Sequence, residues 1–153
     1  MQKNVSTHGD VSFNHLIFLN NRISMFLKGK NLSRTDLDWG SIGSYSDPVV
    51  NGAKDIVTLD VMLLPGMGHN FHKHPKQEEV IYVLEGTVEQ WVGQEKQILE
   101  PGDAAFIPTD MVHASFNIGD SNAKVLAILG PAVGETGYEV EEVGDQSPWN
   151  TLR

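Results

Sequence analysis

The sequence contains no cysteine in its 153 residues. A disulfide framework, thiolate metal ligands and a cysteine nucleophile are therefore excluded. Positive charge is scarce as well: eleven Lys and Arg face twenty Asp and Glu, for a net charge of −9. These cations are scattered along the chain and no helix-turn-helix pattern accompanies them. A polyanion would be repelled, so no nucleic-acid partner is expected. Long apolar runs are lacking too. The apolar patch near the N-terminus, residues 16–19, has four residues. A signal peptide needs a longer stretch and a membrane span about 20 residues, so no membrane association is expected and the cytoplasm is the expected location.

What is present is a texture of short apolar runs broken by turn residues. The length suits one domain, and an apolar fraction of 40% is enough for one core. From residue 56 onward, strand-like runs occur at 56–64, 69–74, 79–84, 87–92, 96–99, 104–107, 112–117 and 124–129. Each is closed by Gly, Pro or Asp, as at Pro65-Gly66, Glu85-Gly86 and Pro101-Gly102-Asp103. Eight short strands at this spacing predict an all-β sandwich, jelly roll or barrel. Three regions follow: an N-terminal extension over 1–55, a barrel over 56–131 and an acidic tail over 132–153. In the extension, 16–19 and 23–27 are candidate strands, and 31–54, with its Asn, Ser, Asp and Gly around Trp39, reads as loop. The tail reads as a solvated acidic face that packs Tyr138, Val140 and Trp149 onto the rest of the chain, with an end free to move.

Chemistry concentrates in the barrel region. Residues i and i+2 of a strand share a face, so His72 and His74 point the same way. If Glu79 lies on the next, antiparallel strand, it meets them across the ladder, with Ile81 and Val83 on its own face. His113 lies on a later strand with Ser115 and Asn117 on its face, and a barrel can gather such separated strands around one point. The same alternation places His69 on the opposite face unless a bulge intervenes. Three imidazoles and a carboxylate without a thiolate suit Fe, Mn, Ni, Zn or Cu as one divalent transition metal per chain.

Two stretches resemble the motifs of the cupin superfamily. Gly66-x5-His72-x-His74-x4-Glu79-x6-Gly86 resembles G(X)5HXH(X)3,4E(X)6G, and Gly102-x5-Pro108-x-Asp110-x2-His113-x3-Asn117 resembles G(X)5PXG(X)2H(X)3N. Residues 87–101 separate them, the short spacing of compact microbial cupins, and the ligand set looks most similar to the quercetin-dioxygenase-like members. The resemblance implies a double-stranded β-helix, the jelly-roll cupin barrel, and carries the metal-ligand role onto His72, His74, Glu79 and His113. The six residues between Glu79 and Gly86 favour Glu79 over Glu78. One position departs: Asp110 stands where the family has Gly, and Asp tolerates a left-handed turn better than most residues.

Resemblance to cupins leaves several functions open. The first is a metal-dependent enzyme, of dioxygenase or isomerase type, acting on a small organic molecule, with Glu79 also a candidate catalytic base. The others are a non-catalytic ligand-binding or sensory module and a structural metal site. Arg and Lys are scarce near the motifs, which disfavours oxalate or a sugar phosphate, unless Arg22 or Arg34 reaches the barrel mouth. Phe106 and Asn70 are further candidates for the pocket wall. Cupins are often homodimers, and strand exchange by the N-terminal patches would cover a sheet edge.

Overall fold

Residues 123–130 read Ala-Lys-Val-Leu-Ala-Ile-Leu-Gly and bury every second side chain. This is the two-residue period of a strand with one face on a core. The same alternation recurs at 79–83 and, apart from the buried Asp60, at 57–63, and it builds the molecule. In the computed structural model, which describes residues 25–153, eleven strands form two antiparallel sheets. The strands are β1 (Arg34–Leu37), β2 (Gly40–Ser46), β3 (Val57–Leu63), β4 (Gly68–Lys73), β5 (Glu78–Glu85) and β6 (Val88–Val92). They continue with β7 (Glu95–Leu99), β8 (Ala104–Ile107), β9 (His113–Asn117), β10 (Ala123–Gly130) and β11 (Glu141–Glu142). One sheet runs β1-β2-β3-β10-β5-β8 and the other β11-β4-β9-β6-β7.

The main core lies between the sheets. Val57, Leu59, Val61 and Leu63 from β3 pack with Val125, Ala127 and Leu129 from β10 and with Ile81 and Val83 from β5. A smaller cluster, Phe71, Trp91, Ala114, Phe116 and Val143, sits on the outer face of the five-stranded sheet, covered by Trp149 and Leu152. The C-terminal tail is thus folded onto the barrel. Arg153 seals its end, with its guanidinium 3.9 Å from the Phe116 ring and its Nε donating to Glu89 Oε1 at 2.9 Å.

The eight strands expected from 56 onward are all present. The loop expected over 31–54 is a correction: it contains β1 and β2, a hairpin on the edge of the larger sheet. All four residues of β1 are exposed, so they carry no hydrophobic period. Pairing with β2 makes them a strand, aided by Arg34, whose Nη1 meets Asp60 Oδ1 at 2.8 Å and whose Nε donates to Ser41. Tertiary pairing overrides weak local preference here. Residues 25–27 form no strand, while 16–19 and the start of 23–27 lie outside the described residues. The acidic residues of the tail, Glu135, Glu139, Glu141, Glu142 and Asp145, are exposed, and Tyr138 and Trp149 pack on the two apolar clusters as expected; the pairing of β11 with β4 adds a contact that the sequence did not suggest.

Both motif turns behave as their chemistry requires. Gly86 has φ +84°, and a Cβ there would lie 2.7 Å from the Ala123 Cβ. Asp110, in the position of the family's Gly, has φ +63°. Its carboxylate lies 2.8 Å from Lys73 Nζ, which turns Lys73 away from the histidines that flank it.

Candidate metal centre

His72 lies near the end of β4, His74 just beyond it, Glu79 on β5 and His113 at the start of β9. All four are buried. His72 and His113 are directly paired across the β4–β9 ladder, with ring centroids 4.2 Å apart. Glu79 does not meet the histidines across a ladder, as the sequence suggested. β4 and β5 belong to different sheets, so Glu79 faces the imidazoles across the barrel interior. Glu78 points outward and is exposed.

One ligand-capable atom from each of the four residues falls within 4.8 Å of the others. Every Nδ1 is committed to a backbone carbonyl, an acceptor only. His72 donates to Asn70 at 2.6 Å, His74 to Glu139 at 2.7 Å and His113 to Met111 at 3.0 Å. The Nδ1–H tautomer leaves three Nε2 lone pairs turned inward. His113 Nε2 lies 2.7 Å from Glu79 Oε2, yet neither atom has an aligned hydrogen-bond partner. Their proximity is that of an ion pair, but their alignment is not that of a hydrogen bond, and with Nδ1 carrying the ring proton both atoms are acceptors. Two buried acceptors aimed at a common point are what a shared cation satisfies.

The electrostatics agree with that arrangement at Glu79 and His72, while His74 is shifted the other way. Burial raises the Glu79 carboxyl, but His113 and His74 outweigh it and hold the group well below the usual carboxylate range. Burial pushes His72 well below its ordinary value, with His69 and His113 adding to the effect. Burial also lowers His74, but its contact with Glu79 prevails and raises it. An ionised carboxylate and a neutral imidazole are the states that a divalent ion requires. The donor set of nitrogen and oxygen therefore fits a transition metal, and these four residues could hold it.

A cavity of about 220 Å³ opens on this cluster. Its walls are mainly apolar, including Ile42, Leu59, Val61, Val125, Ala127 and Leu129. Its mouth takes Leu37 and Trp39 from the β1–β2 hairpin and Tyr138, Val140 and Glu142 from the tail. None of its described lining residues is Lys or Arg. Arg34 does not reach it, being held by Asp60 and Ser41.

Sequence reasoning misplaced His69. β4 carries one extra residue against β9 between the pairs His69–Ser115 and His72–His113. This bulge turns His69 to the side of His72, onto which it stacks at 3.6 Å between centroids, with Trp39 on its far face at 5.0 Å. His69 Nε2 donates to Glu142 Oε1 at 2.8 Å. Phe106 does not line the metal-side cavity; it is 58% exposed beside a separate surface pocket. Asn70 is exposed and caps its neighbour, its Oδ1 accepting from the Phe71 N–H.

Residues 59–129 match the cupin domain family. The protein TT1209 from Thermus thermophilus is 30% identical to this chain, with 71% of this chain and 98% of that one covered and a TM-score of 0.60. The chain belongs to the cupin family. Among curated relatives of this cupin, the polyketide synthase CurC of Streptomyces cyaneus is 33% identical over 92 residues. That match covers 60% of this chain and 60% of CurC. The oxalate decarboxylase of Lactobacillus farciminis shares the fold, at 24% identity and a TM-score of 0.67, covering 76% of this chain and 35% of that one. Among the described residues, no helix is long and apolar enough to cross a membrane.

Proposed function

We propose that this cupin is a metal-dependent enzyme, of dioxygenase or isomerase type, acting on a small, uncharged and largely apolar molecule. The observation that carries this reading is the apolar cavity, free of Lys and Arg among its described lining, that ends on His72, His74, Glu79 and His113. These four are the proposed ligands of one divalent transition metal. A bound ion would supply Lewis-acid polarisation of substrate oxygens and a lowered pKa for a bound hydroxyl. A diol, enediol or diketone carries two suitably spaced oxygens and no charge needing a cationic partner. Oxalate and sugar phosphates would enter without one. The similarity to a protein named polyketide synthase favours the same class, since polyketides are rich in enolisable dicarbonyl groups.

The chain's own residues have distinct proposed tasks. The Nδ1–H bonds of the three histidines hold their rings in one orientation. Ser115 Oγ donates to Gln90 Oε1 at 2.6 Å, which ties that polar group to the wall. Glu79 is both a ligand and the candidate proton acceptor. Its depression comes from its close contacts with His113 and His74 and from their charge. A bound divalent ion would also favour the carboxylate, so Glu79 would act as a base only when released from the ion, where burial raises it.

A homodimer is part of the proposal, because Tyr82, Leu84 and Phe106 are each more than a third exposed on β5 and β8. A monomeric mass by light scattering would remove that part. The test of the activity begins with metal content, measured by mass spectrometry on untagged protein purified without chelator. One equivalent of iron directs the assay to oxygen uptake with diols and diketones; zinc or nickel directs it to isomerase and hydrolase screens. Saturable ligand binding without product under air would favour a sensory or binding module. Absence of metal after anaerobic reconstitution would overturn the proposal.

A further inference from the structure

Gln77 is only 1% exposed, although it lies in the turn between β4 and β5. Its side-chain hydrogen bonds all go to residues 131–139. Nε2 donates to the Pro131 carbonyl at 2.7 Å and to the Gly137 carbonyl at 3.0 Å. Oε1 accepts from the Glu139 N–H at 3.2 Å. The same Glu139 offers its carbonyl to His74 Nδ1 at 2.7 Å. One residue of the tail is therefore gripped by Gln77 through its N–H and read by His74 through its C=O.

The contrast with the other imidazoles is informative. His72 and His113 donate to carbonyls two residues away, at Asn70 and Met111, on their own strand or its approach. His74 donates across 65 residues. Local chain geometry fixes the first two rings, whereas the third depends on where residues 131–139 are held. Among the described residues, and apart from His74 itself, the side-chain hydrogen bonds that reach this segment from β4, β5 or their turn come from Gln77 and Lys76. The Lys76 contact, at 3.2 Å, is made to the Glu139 side chain and is exposed.

We propose that Gln77 is a positioning residue for the metal centre: by clamping residues 131–139 it presents the Glu139 carbonyl to His74 and fixes that ring's metal-facing Nε2. This rests on the reading of His72, His74, Glu79 and His113 as ligands. An outer partner that orients a ligating imidazole is worth about 10- to 100-fold in metal affinity. No other side chain can substitute easily. Glu in place of Gln would set a carboxylate against two carbonyl oxygens, and an apolar residue would take from the Pro131 carbonyl and the Glu139 N–H the partner that Gln77 supplies, while the Gly137 carbonyl keeps the Val133 N–H at 2.9 Å.

The test uses the full chain with Gln77→Met, Gln77→Glu and Lys76→Ala. In metal-free protein, long-range proton–nitrogen correlation spectra report which ring nitrogen of each histidine carries the proton. Gln77→Met is expected to lose the single Nδ1–H form of His74 while His72 and His113 keep theirs. Cobalt(II) titration followed by its visible absorption should show affinity about tenfold weaker or worse. Lys76→Ala should match the wild type in both. Should Gln77→Met fail to fold, Gln77→Glu, nearly isosteric, decides by the same two measurements. An unchanged His74 tautomer, or all three rings altered together, overturns the positioning role even where the wild type binds cobalt. A wild type that binds no cobalt removes the ligand reading, and with it any role of Gln77 toward a metal.

Discussion

His113 Nε2 and Glu79 Oε2 lie 2.7 Å apart, both buried, and are not aligned as a hydrogen bond. They come from opposite sheets, so the closure of the barrel brings them together. A buried carboxylate facing an imidazole lone pair is costly unless a third group completes the arrangement.

His113→Ala should therefore weaken binding of the divalent metal by more than about 100-fold, exceeding the effect of an outer partner. Glu78→Gln, on the outward face of the same strand as Glu79, should leave affinity unchanged. Isothermal titration with zinc or cobalt on both variants checks this pair of outcomes. Equal affinity of His113→Ala and wild type would remove His113 from the ligand set.

Ala127 lines the cavity from β10. Ala127→Phe would place a ring in the space proposed for substrate. We expect metal content to stay near that of the wild type, ligand binding to be lost, and stability to fall by about 1–3 kcal/mol from overpacking. Metal analysis beside a ligand-binding assay separates the two effects. Retained ligand affinity would place the substrate elsewhere.

The pair of His69 and Glu142 sits at the cavity mouth, with the Glu142 side chain 62% exposed. Glu142→Gln should cost less than about 1 kcal/mol, since solvent screens the pair. Metal affinity should not change, because neither residue belongs to the inner four. His69→Ala opens the stack between Trp39 and His72 and should alter ligand selectivity without removing metal. A loss of metal in either variant would mean that the ligand set is larger than proposed.

Glu89 anchors the chain end. Burial pushes its carboxyl up, but the Trp91 indole, Lys96 and Arg153 outweigh this and hold it below its ordinary value. A depressed folded-state value means that the stabilisation is complete above the unfolded-state pKa of about 4.3. It is lost as pH falls through the folded-state value. Thermal unfolding of metal-free protein should therefore show a midpoint that drops below about pH 4.3. Glu89→Gln should flatten that dependence. An identical acid profile in the variant would show that Glu89 does not fasten the tail.

Gly86→Ala should destabilise the fold by about 2–4 kcal/mol, combining a left-handed backbone with a close approach. The φ of +84° and the 2.7 Å approach to Ala123 are the cause. Chemical denaturation measures it. A change under about 0.5 kcal/mol would show that the turn can relax.

The strands from 56 onward and the identity of the four clustered residues were legible before any coordinates, because both rest on local regularities. A strand with one buried face must alternate, and turns need Gly, Pro or Asp; Asp110, standing where the resembled family has Gly, keeps the left-handed turn with φ +63°. The two motifs carry His72, His74, Glu79 and His113 at spacings that can be counted along the chain. What surrounds those residues depends on folding. β1 has no hydrophobic period and exists because β2 pairs with it. The bulge that turns His69 toward His72 is a difference in residue count between two strands distant in sequence, invisible from either one. Gln77 reads as a turn residue, and Glu139 as part of an acidic tail, until the chain folds back over the mouth. Their contact spans 62 residues, and no local preference encodes a hydrogen bond between a side chain and a backbone group so far apart.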